Sequence, residues 1–160
     1  MFSVRPVSMH DSPDDSYRHA LKSAIKILSI REHSTAELTQ KLTQRGYTED
    51  VIQRVIMDCR QRDYVDDRRA ADQLLNSMKR RGFGIHRVRS EFLRRGLPGD
   101  RVEFDPAEES SMALRVALKK WKSLQHETQP SKRRLRLIRF LRSRGFSEGV
   151  LIEAMKSLEK

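Results

Sequence analysis

The sequence contains few of the residues that build turn-rich, disulfide-linked or membrane-spanning proteins. Its 160 residues include one cysteine, seven glycines and five prolines, and aromatic residues make up 6%. A lone cysteine, Cys59, cannot form an internal disulfide, which is typical of the reducing cytoplasm. Scarce glycine and proline disfavour a β fold, and no apolar run approaches the ~20 residues that a membrane-spanning helix needs. We therefore expect a cytoplasmic protein with no membrane partner.

Catalytic, metal-binding and cofactor-binding patterns are also missing. The five histidines have no metal-ligand spacing, and a second cysteine is lacking. Gly82 and Gly84 flank Phe83, but the Lys and Ser or Thr of a phosphate-binding loop do not follow. We find no nucleophile–base pair and no paired-acid motif. The sequence therefore predicts a binding protein with no catalytic residues, no metal site and no cofactor.

Acidic residues are sparse in the second half of the chain. Residues 1–78 hold 12 Lys and Arg against 12 Asp and Glu, whereas residues 79–160 hold 21 against 10. The whole net charge of +11 therefore falls in the second half. Such asymmetry indicates a polyanionic partner, meaning nucleic acid, a nucleoprotein or an acidic protein surface. The alternative is a solvated surface that serves solubility.

One apolar spacing occurs three times along the chain. In each copy, apolar residues stand at offsets 0, 1, 4, 5 and 8, as on the buried stripe of an amphipathic helix. The three copies begin at Ala20, Ala70 and Ala113 and end at Leu28, Met78 and Trp121. Recurrence of one stripe at such distances is most simply explained by a structural repeat.

A second landmark follows each stripe. The glycines Gly46, Gly96 and Gly145 each come after an arginine, and apolar residues stand four and eight positions before each glycine. This pattern predicts a second helix that ends at a glycine with positive φ. Third helices are predicted from Thr48 and Ser147, while the middle copy should have only a short helix from about Pro98 to Phe104.

The predicted fold is all-α, with three tandem three-helix repeats that form an elongated, curved array. We place repeat 1 at residues 17–63, repeat 2 at residues 64–106 with a short third helix, and repeat 3 at residues 107–160. Residues 1–16 are expected to be a disordered tail.

On this threefold pattern lie three stretches that resemble the RecX family, bacterial regulators of the recombinase RecA. Residues 63–69, Asp-Tyr-Val-Asp-Asp-Arg-Arg, are similar to the family's Gly-Tyr-Leu-Asp-Asp-x-Arg. Residues 81–84, Arg-Gly-Phe-Gly, followed by Arg87-Val88-Arg89-Ser90-Glu91, are similar to a second family motif, and residues 139–146 to a third. The resemblance covers about residues 18–158. The sequence departs from the family at Asp63, Ala70 and Ile85, where glycine, an aromatic residue and proline are usual.

The resemblance implies a function as an inhibitor or modulator of RecA. Such a protein binds the RecA–single-stranded DNA filament and limits filament extension, strand exchange and coprotease activity. The partners expected from it are the filament and, more weakly and in a salt-sensitive way, single-stranded DNA, bound by a monomer.

Basic residues of repeats 2 and 3 are the best candidates for this contact. Several face away from the predicted buried stripes, and those of repeat 3 step at i, i+3 along one face. Guanidinium groups in such a row suit phosphates and carboxylates, which they can hold bidentately. The candidates are Lys79, Arg80, Arg81, Arg87, Arg94, Arg133, Arg136, Arg139 and Arg142.

Three other functions fit parts of the pattern. One is an adaptor for an acidic protein, which would bind its partner without any DNA. A general nucleic-acid-binding helical module without a filament partner would explain the basic half equally well. A helix-turn-helix repressor of duplex DNA is a weaker alternative, because that class usually has one recognition helix and dimeric half-sites.

Overall fold

The computed structural model describes residues 13–158, and within that range it contains α-helices and no strands. The predicted all-α class is thus confirmed. The helices are α1 (Pro13–Leu28), α2 (Thr35–Thr43), α3 (Glu49–Gln61), α4 (Asp67–Arg80), α5 (Ile85–Arg94), α6 (Pro106–Ser123), α7 (Pro130–Ser143) and α8 (Glu148–Leu158). Residues 1–12 of the predicted tail lie outside the described residues, and residues 13–16 belong to α1.

None of the helices in the described part of the chain is long and apolar enough to cross a lipid bilayer.

The chain divides into two compact units. Of the described residues, 13–73 together with 95–97 form unit 1, and 74–94 together with 98–158 form unit 2. The division falls inside α4, so unit 1 contains α1 to α3 and unit 2 contains α5 to α8. The repeat boundaries placed after residues 63 and 106 stay a prediction.

The core of unit 1 is built from the apolar stripes of α1, α2 and α3. Helix α2 begins with a capping box formed by Ser34 and Glu37: each side chain accepts a hydrogen bond from the other residue's backbone N–H. Asp66 likewise accepts the backbone N–H of Arg68 and Arg69 at the start of α4, at 2.7 and 3.1 Å. The buried residues of this core are Ala20, Ala24, Ile27, Leu38, Leu42, Ile52, Val55, Ile56, Cys59 and Val65.

The main core of unit 2 lies between α6, α7 and α8. Small residues on one face of α6, Ala113 and Ala117, are fully buried, which lets the neighbouring helices approach closely. Leu137 and Leu141 of α7 are also fully buried, as the periodicity predicts. The other buried members are Met112, Leu124, Phe146, Leu151, Ala154 and Met155.

In the first and third copies, the apolar stripe extends beyond the part of the helix that the core buries. The residue at offset 5 is 46% exposed in the first copy, Ile25, and 43% exposed in the third, Leu118. Both were expected to be buried. Because the adjacent alanines already fill the core, these larger side chains lie at its edge and face solvent.

The predicted positive φ of the glycines that follow the second helices is confirmed, and two of these turns form hydrogen bonds with another helix. Gly46, Gly96 and Gly145 have φ of 83°, 67° and 77°. In unit 2 the turn at Gly145 lies on the start of α5, where Gly84 N–H donates to the Arg144 carbonyl at 2.9 Å. In unit 1 the Ser34 hydroxyl donates to the Arg95 carbonyl in the same way. The turn at Gly145 therefore contacts the start of α5 within unit 2, and residue 95 contacts the start of α2 within unit 1.

The predicted third helix of repeat 2 is a single 3-10 turn, Gly99–Arg101. Pro106 is the first residue of α6, with the Asp105 carboxylate accepting the N–H of Ala107. Proline suits a helix start because its missing N–H has no partner there in any case. Asp63 adopts φ of +54°, the left-handed region that favours glycine, which accounts for the glycine usual in the RecX family at this position.

Burial of His33 predicts a loss of stability at mildly acidic pH. The residue is 3% exposed, and burial lowers the pKa of His33 below the 6.5 of a free imidazole. As the pH falls through 6.5, the unfolded chain therefore takes up a proton that the folded chain resists, which favours unfolding. We expect a lower free energy of unfolding in urea at pH 5.5 than at pH 7. This decrease in the free energy of unfolding should be smaller in His33→Asn, whose amide can still donate to the Arg31 carbonyl. An equal decrease in the variant would show that other groups cause it.

Candidate nucleic-acid interface

A cleft of about 440 Å³ opens on unit 2 between the end of α4, one face of α6 and the end of α7. Six cationic side chains line it and no carboxylate does, so we call it the basic cleft. Its lining residues are Arg80, Arg81, Gly82, Arg115, Val116, Lys119, Lys120, Ser123, Phe140 and Arg144.

Local sequence explains how these side chains reach one place. Arg115 and Lys119 stand four residues apart on α6, so they project from the same face of the helix. Gly82, with φ of +72°, ends α4 and turns the chain beside Val116. A side chain at Gly82 would overlap Val116, which is why this wall of the cleft requires glycine.

Arg144 is the fixed part of the cleft. Its guanidinium lies between two aromatic rings, 4.9 Å from the centroid of Phe83 and 5.0 Å from that of Phe140. It also donates hydrogen bonds to the carbonyls of Arg81 and Gly82. These contacts hold the guanidinium in one orientation, although its charge has no carboxylate partner among residues 13–158.

The remaining cations are less constrained. Lys120 lies over the Phe140 ring at 5.3 Å, and Arg81 lies over the Phe83 ring at 5.0 Å. Arg80, Arg115 and Lys119 are exposed. Six like charges around one concavity repel one another and create a strongly positive potential, which a bound polyanion relieves. Phosphate groups suit such a site because Arg and Lys both pair with them.

Only two of the nine sequence-predicted residues line the basic cleft, Arg80 and Arg81. Lys79 pairs with Glu108 at 2.6 Å and lies over the Phe104 ring. Arg87 and Arg94 are exposed on α5, and Arg94 pairs with Glu91 one turn earlier. The structure therefore does not bring the α4 and α5 candidates together at one place.

The row of arginines on α7 is largely engaged in contacts of its own. Arg133 stacks on the Trp121 ring at 3.8 Å and donates to the Trp121 carbonyl. Arg136 pairs with Glu127 at 3.0 Å. Arg142 pairs with Glu148 at 2.9 Å, and this hydrogen bond raises the pKa of the guanidinium. Arg139 alone in the row is exposed without an ion pair to any carboxylate of the described residues.

Sequence reasoning missed four of the six cations of the basic cleft: Arg115, Lys119, Lys120 and Arg144. The spacing of Arg115 and Lys119 on the exposed face of α6 was a readable signal. Arg144 enters the sequence pattern only as the arginine that precedes Gly145. The sequence does not show that these four residues lie close to Arg80 and Arg81 in the folded chain.

Comparison with known proteins agrees with this architecture. The family model described as the first three-helix domain of RecX matches residues 20–59, and the model of the third three-helix domain of RecX matches residues 107–155. A protein of Chlorobium limicola named Regulatory protein RecX is 31% identical over 151 residues, covering 91% of this chain and 92% of that one. The chain belongs to the RecX family.

Other RecX proteins support the same assignment. Regulatory protein RecX of Vibrio vulnificus is 35% identical over 129 residues, with 78% of this chain and 83% of the relative covered. The crystal structure of RecX from Lactobacillus salivarius shares the fold at a TM-score of 0.74 and 17% identity, covering 91% of this chain and 98% of that chain. The resemblance read from the three sequence motifs is confirmed.

Proposed function

We propose that this RecX-family protein is a regulator of RecA that binds the RecA–single-stranded DNA filament and limits filament extension, strand exchange and coprotease activity. The observation that carries the proposal is the basic cleft, six cations without a carboxylate in a chain of this family. The cleft supplies the electrostatic contact with the phosphates of the DNA strand. Binding, without any chemical step, is the whole of this activity.

Single-stranded DNA within the filament is the ligand that this proposal assigns to the basic cleft. The six cations of the cleft can contact the phosphate backbone of such a strand. Contacts to phosphate carry no sequence information, so the cleft should not discriminate between sequences.

The test of this function is the DNA-dependent ATP hydrolysis of the cognate recombinase. The protein is added either before or after filament assembly. We expect inhibition well below the concentration that coats the DNA, and a difference between the two orders of addition if the protein acts on filament growth. Inhibition only at DNA-saturating concentrations would contradict the proposal.

Charge reversal in the basic cleft should weaken this inhibition. In Arg115→Glu/Lys119→Glu, loss of two phosphate contacts and repulsion by two carboxylates should raise the half-inhibitory concentration about 10- to 30-fold at low salt. The matched control is Lys22→Glu/Lys26→Glu, which makes the same change at two exposed positions four residues apart on α1. Far-UV circular dichroism checks that both variants stay helical. Equal weakening in the two variants would show that only net charge matters.

The α7 row gives a second comparison. Arg136→Glu/Arg139→Glu/Arg142→Glu changes more charge than the cleft variant, yet two of its three arginines already have carboxylate partners. If the cleft makes the main contact, this triple variant should lose less inhibition than the cleft double variant. The opposite ranking would assign the contact to α7.

A general nucleic-acid-binding module is the second candidate, because the basic cleft by itself requires nothing more than a phosphate backbone. Salt separates the two functions. Binding to bare single strands should fall by roughly 0.7 log units per log unit of salt for each phosphate contact. Filament binding should keep a salt-resistant part from protein contacts. Affinities for filament and bare strand that change in parallel at every salt concentration would favour the general module.

A further inference from the structure

Helix α6 carries a second surface, beside the basic cleft. A shallow groove of about 470 Å³ runs along its outer face and is lined by Ser111, Leu114, Arg115, Leu118, Lys119 and Lys122. We call these six residues the α6 strip. They span three helical turns, about 16 Å at 1.5 Å per residue. All of them belong to one helix of unit 2.

The apolar residues of the α6 strip are not needed by the core of unit 2. Ala113 and Ala117 carry the buried face of α6, whereas Leu118 is 43% exposed and Leu114 is half-buried. Leu118 occupies the position of the apolar stripe that the sequence pattern predicts to be buried. A leucine pair at i, i+4 that faces solvent is an apolar surface without an internal partner.

The charges of the α6 strip all have one sign. Arg115, Lys119 and Lys122 are exposed, and none forms an ion pair with a carboxylate of residues 13–158. They border the two leucines along the length of the helix. A ligand that complements this surface has apolar side chains for the centre and carboxylates for the rim.

We propose that the α6 strip docks an acidic, amphipathic segment of a protein partner. An amphipathic helix that lies along α6 would place apolar residues on Leu114 and Leu118 and acidic residues beside Arg115, Lys119 and Lys122. Nucleic acid is the poorer match, because a phosphodiester backbone gains little from two central leucines. This surface goes beyond the proposed DNA contact, which uses the opposite side of Arg115 and Lys119.

The α6 strip and the basic cleft can be tested separately. They share Arg115 and Lys119, but Leu118 and Lys122 line only the strip, and Arg80 and Lys120 line only the cleft. Substitutions at these four positions, each of which lines only one surface, therefore change that surface and leave the other intact. All four side chains lie outside the buried core, so the variants should fold.

The experiment measures binding of two synthetic 16-residue peptides to the full chain by fluorescence anisotropy. One peptide has Leu at i, i+3, i+4 and i+7 among Glu residues, and the other has Ser in place of each Leu. We expect the native protein to bind the leucine peptide at least tenfold more tightly than the serine peptide. The preference should fall below about threefold in Leu118→Gln, and Lys122→Glu should weaken both peptides about threefold or more.

Two controls decide the outcome. Ile152→Gln replaces an equally exposed apolar residue of α8, at 47% exposure, and should leave the peptide preference unchanged. Arg80→Glu/Lys120→Glu should weaken single-stranded DNA binding but keep the leucine preference. Equal affinity of the two peptides for the native protein overturns the proposal. So does a tenfold loss of single-stranded DNA binding in Leu118→Gln, which would make the strip a nucleic-acid surface. Because no recombinase is present, these results are independent of the function proposed above.

Discussion

Replacing Gly145 with alanine is expected to lower the free energy of unfolding by about 3–5 kcal/mol. The glycine has φ of +77°, where an alanine is strained by about 1–2 kcal/mol. An added Cβ would also overlap the backbone nitrogen of Arg87 and lie 2.9 Å from its Cα. Relief requires separating the α7–α8 turn from α5, which breaks the 3.0 Å hydrogen bond from His86 N–H to the Gly145 carbonyl.

Two other glycines serve as controls for this prediction. Gly46 has φ of +83° but open space around its Cα, so Gly46→Ala should cost only the conformational strain, about 1–2 kcal/mol. Gly149 lies in α8 with no atom near an added Cβ, so Gly149→Ala should stabilise the protein by up to about 1 kcal/mol. Urea unfolding curves of the three variants measure the differences. Similar losses at Gly145 and Gly46 would refute the close contact.

Removing the carboxylate of Glu109 should destabilise unit 2 by about 2–3 kcal/mol. This side chain is 5% exposed. It accepts the Ile85 backbone N–H at 3.0 Å, at the start of α5, and the Ser147 hydroxyl at 3.4 Å, before α8. In Glu109→Ala both donors lose a charged acceptor in a buried place, and water cannot readily replace it.

The neighbouring Glu108 is the matched comparison. It is exposed and pairs with Lys79, so Glu108→Ala should cost less than about 1 kcal/mol. Glu109→Gln keeps one acceptor oxygen and should fall between the two. Chemical denaturation monitored by the fluorescence of Trp121 gives all three values. If Glu109→Ala were no more destabilised than Glu108→Ala, the carboxylate would have no role in joining α5 to α8.

Features that depend on a few neighbouring residues were predictable from the sequence. The capping box at Ser34 and Glu37, the positive φ of Gly145 and the buried leucines of α7 each follow from local chemistry or helical period. The role of Pro106 depends on its neighbour, because proline both ends helices and begins them, and the Asp105 cap places it at the start of α6. The exposure of Leu118 was not predictable, because periodicity identifies a stripe but not how much of it the neighbouring helices cover.

The candidate site was harder to predict than the fold. The α7 arginines form a regular row in the sequence, yet Arg133 is held on Trp121 and Arg136 by Glu127. The basic cleft combines Arg81, Lys119 and Arg144, which are far apart in sequence and meet only because three helices pack together. A run of charge along one helix therefore does not reveal which cations the packing of the helices brings together, and the α7 row stays a prediction.

Arg115 and Lys119 form a ridge between the basic cleft and the α6 strip, and this shared boundary makes the two proposed ligands antagonists. A phosphate strand in the cleft neutralises the same two charges that an acidic segment on the strip requires. Thermodynamic linkage makes this effect reciprocal: each bound ligand lowers the affinity of the protein for the other ligand by the same factor. A partner that carries such an acidic segment would then release the protein from DNA without unfolding it, by occupying one side of a single helix.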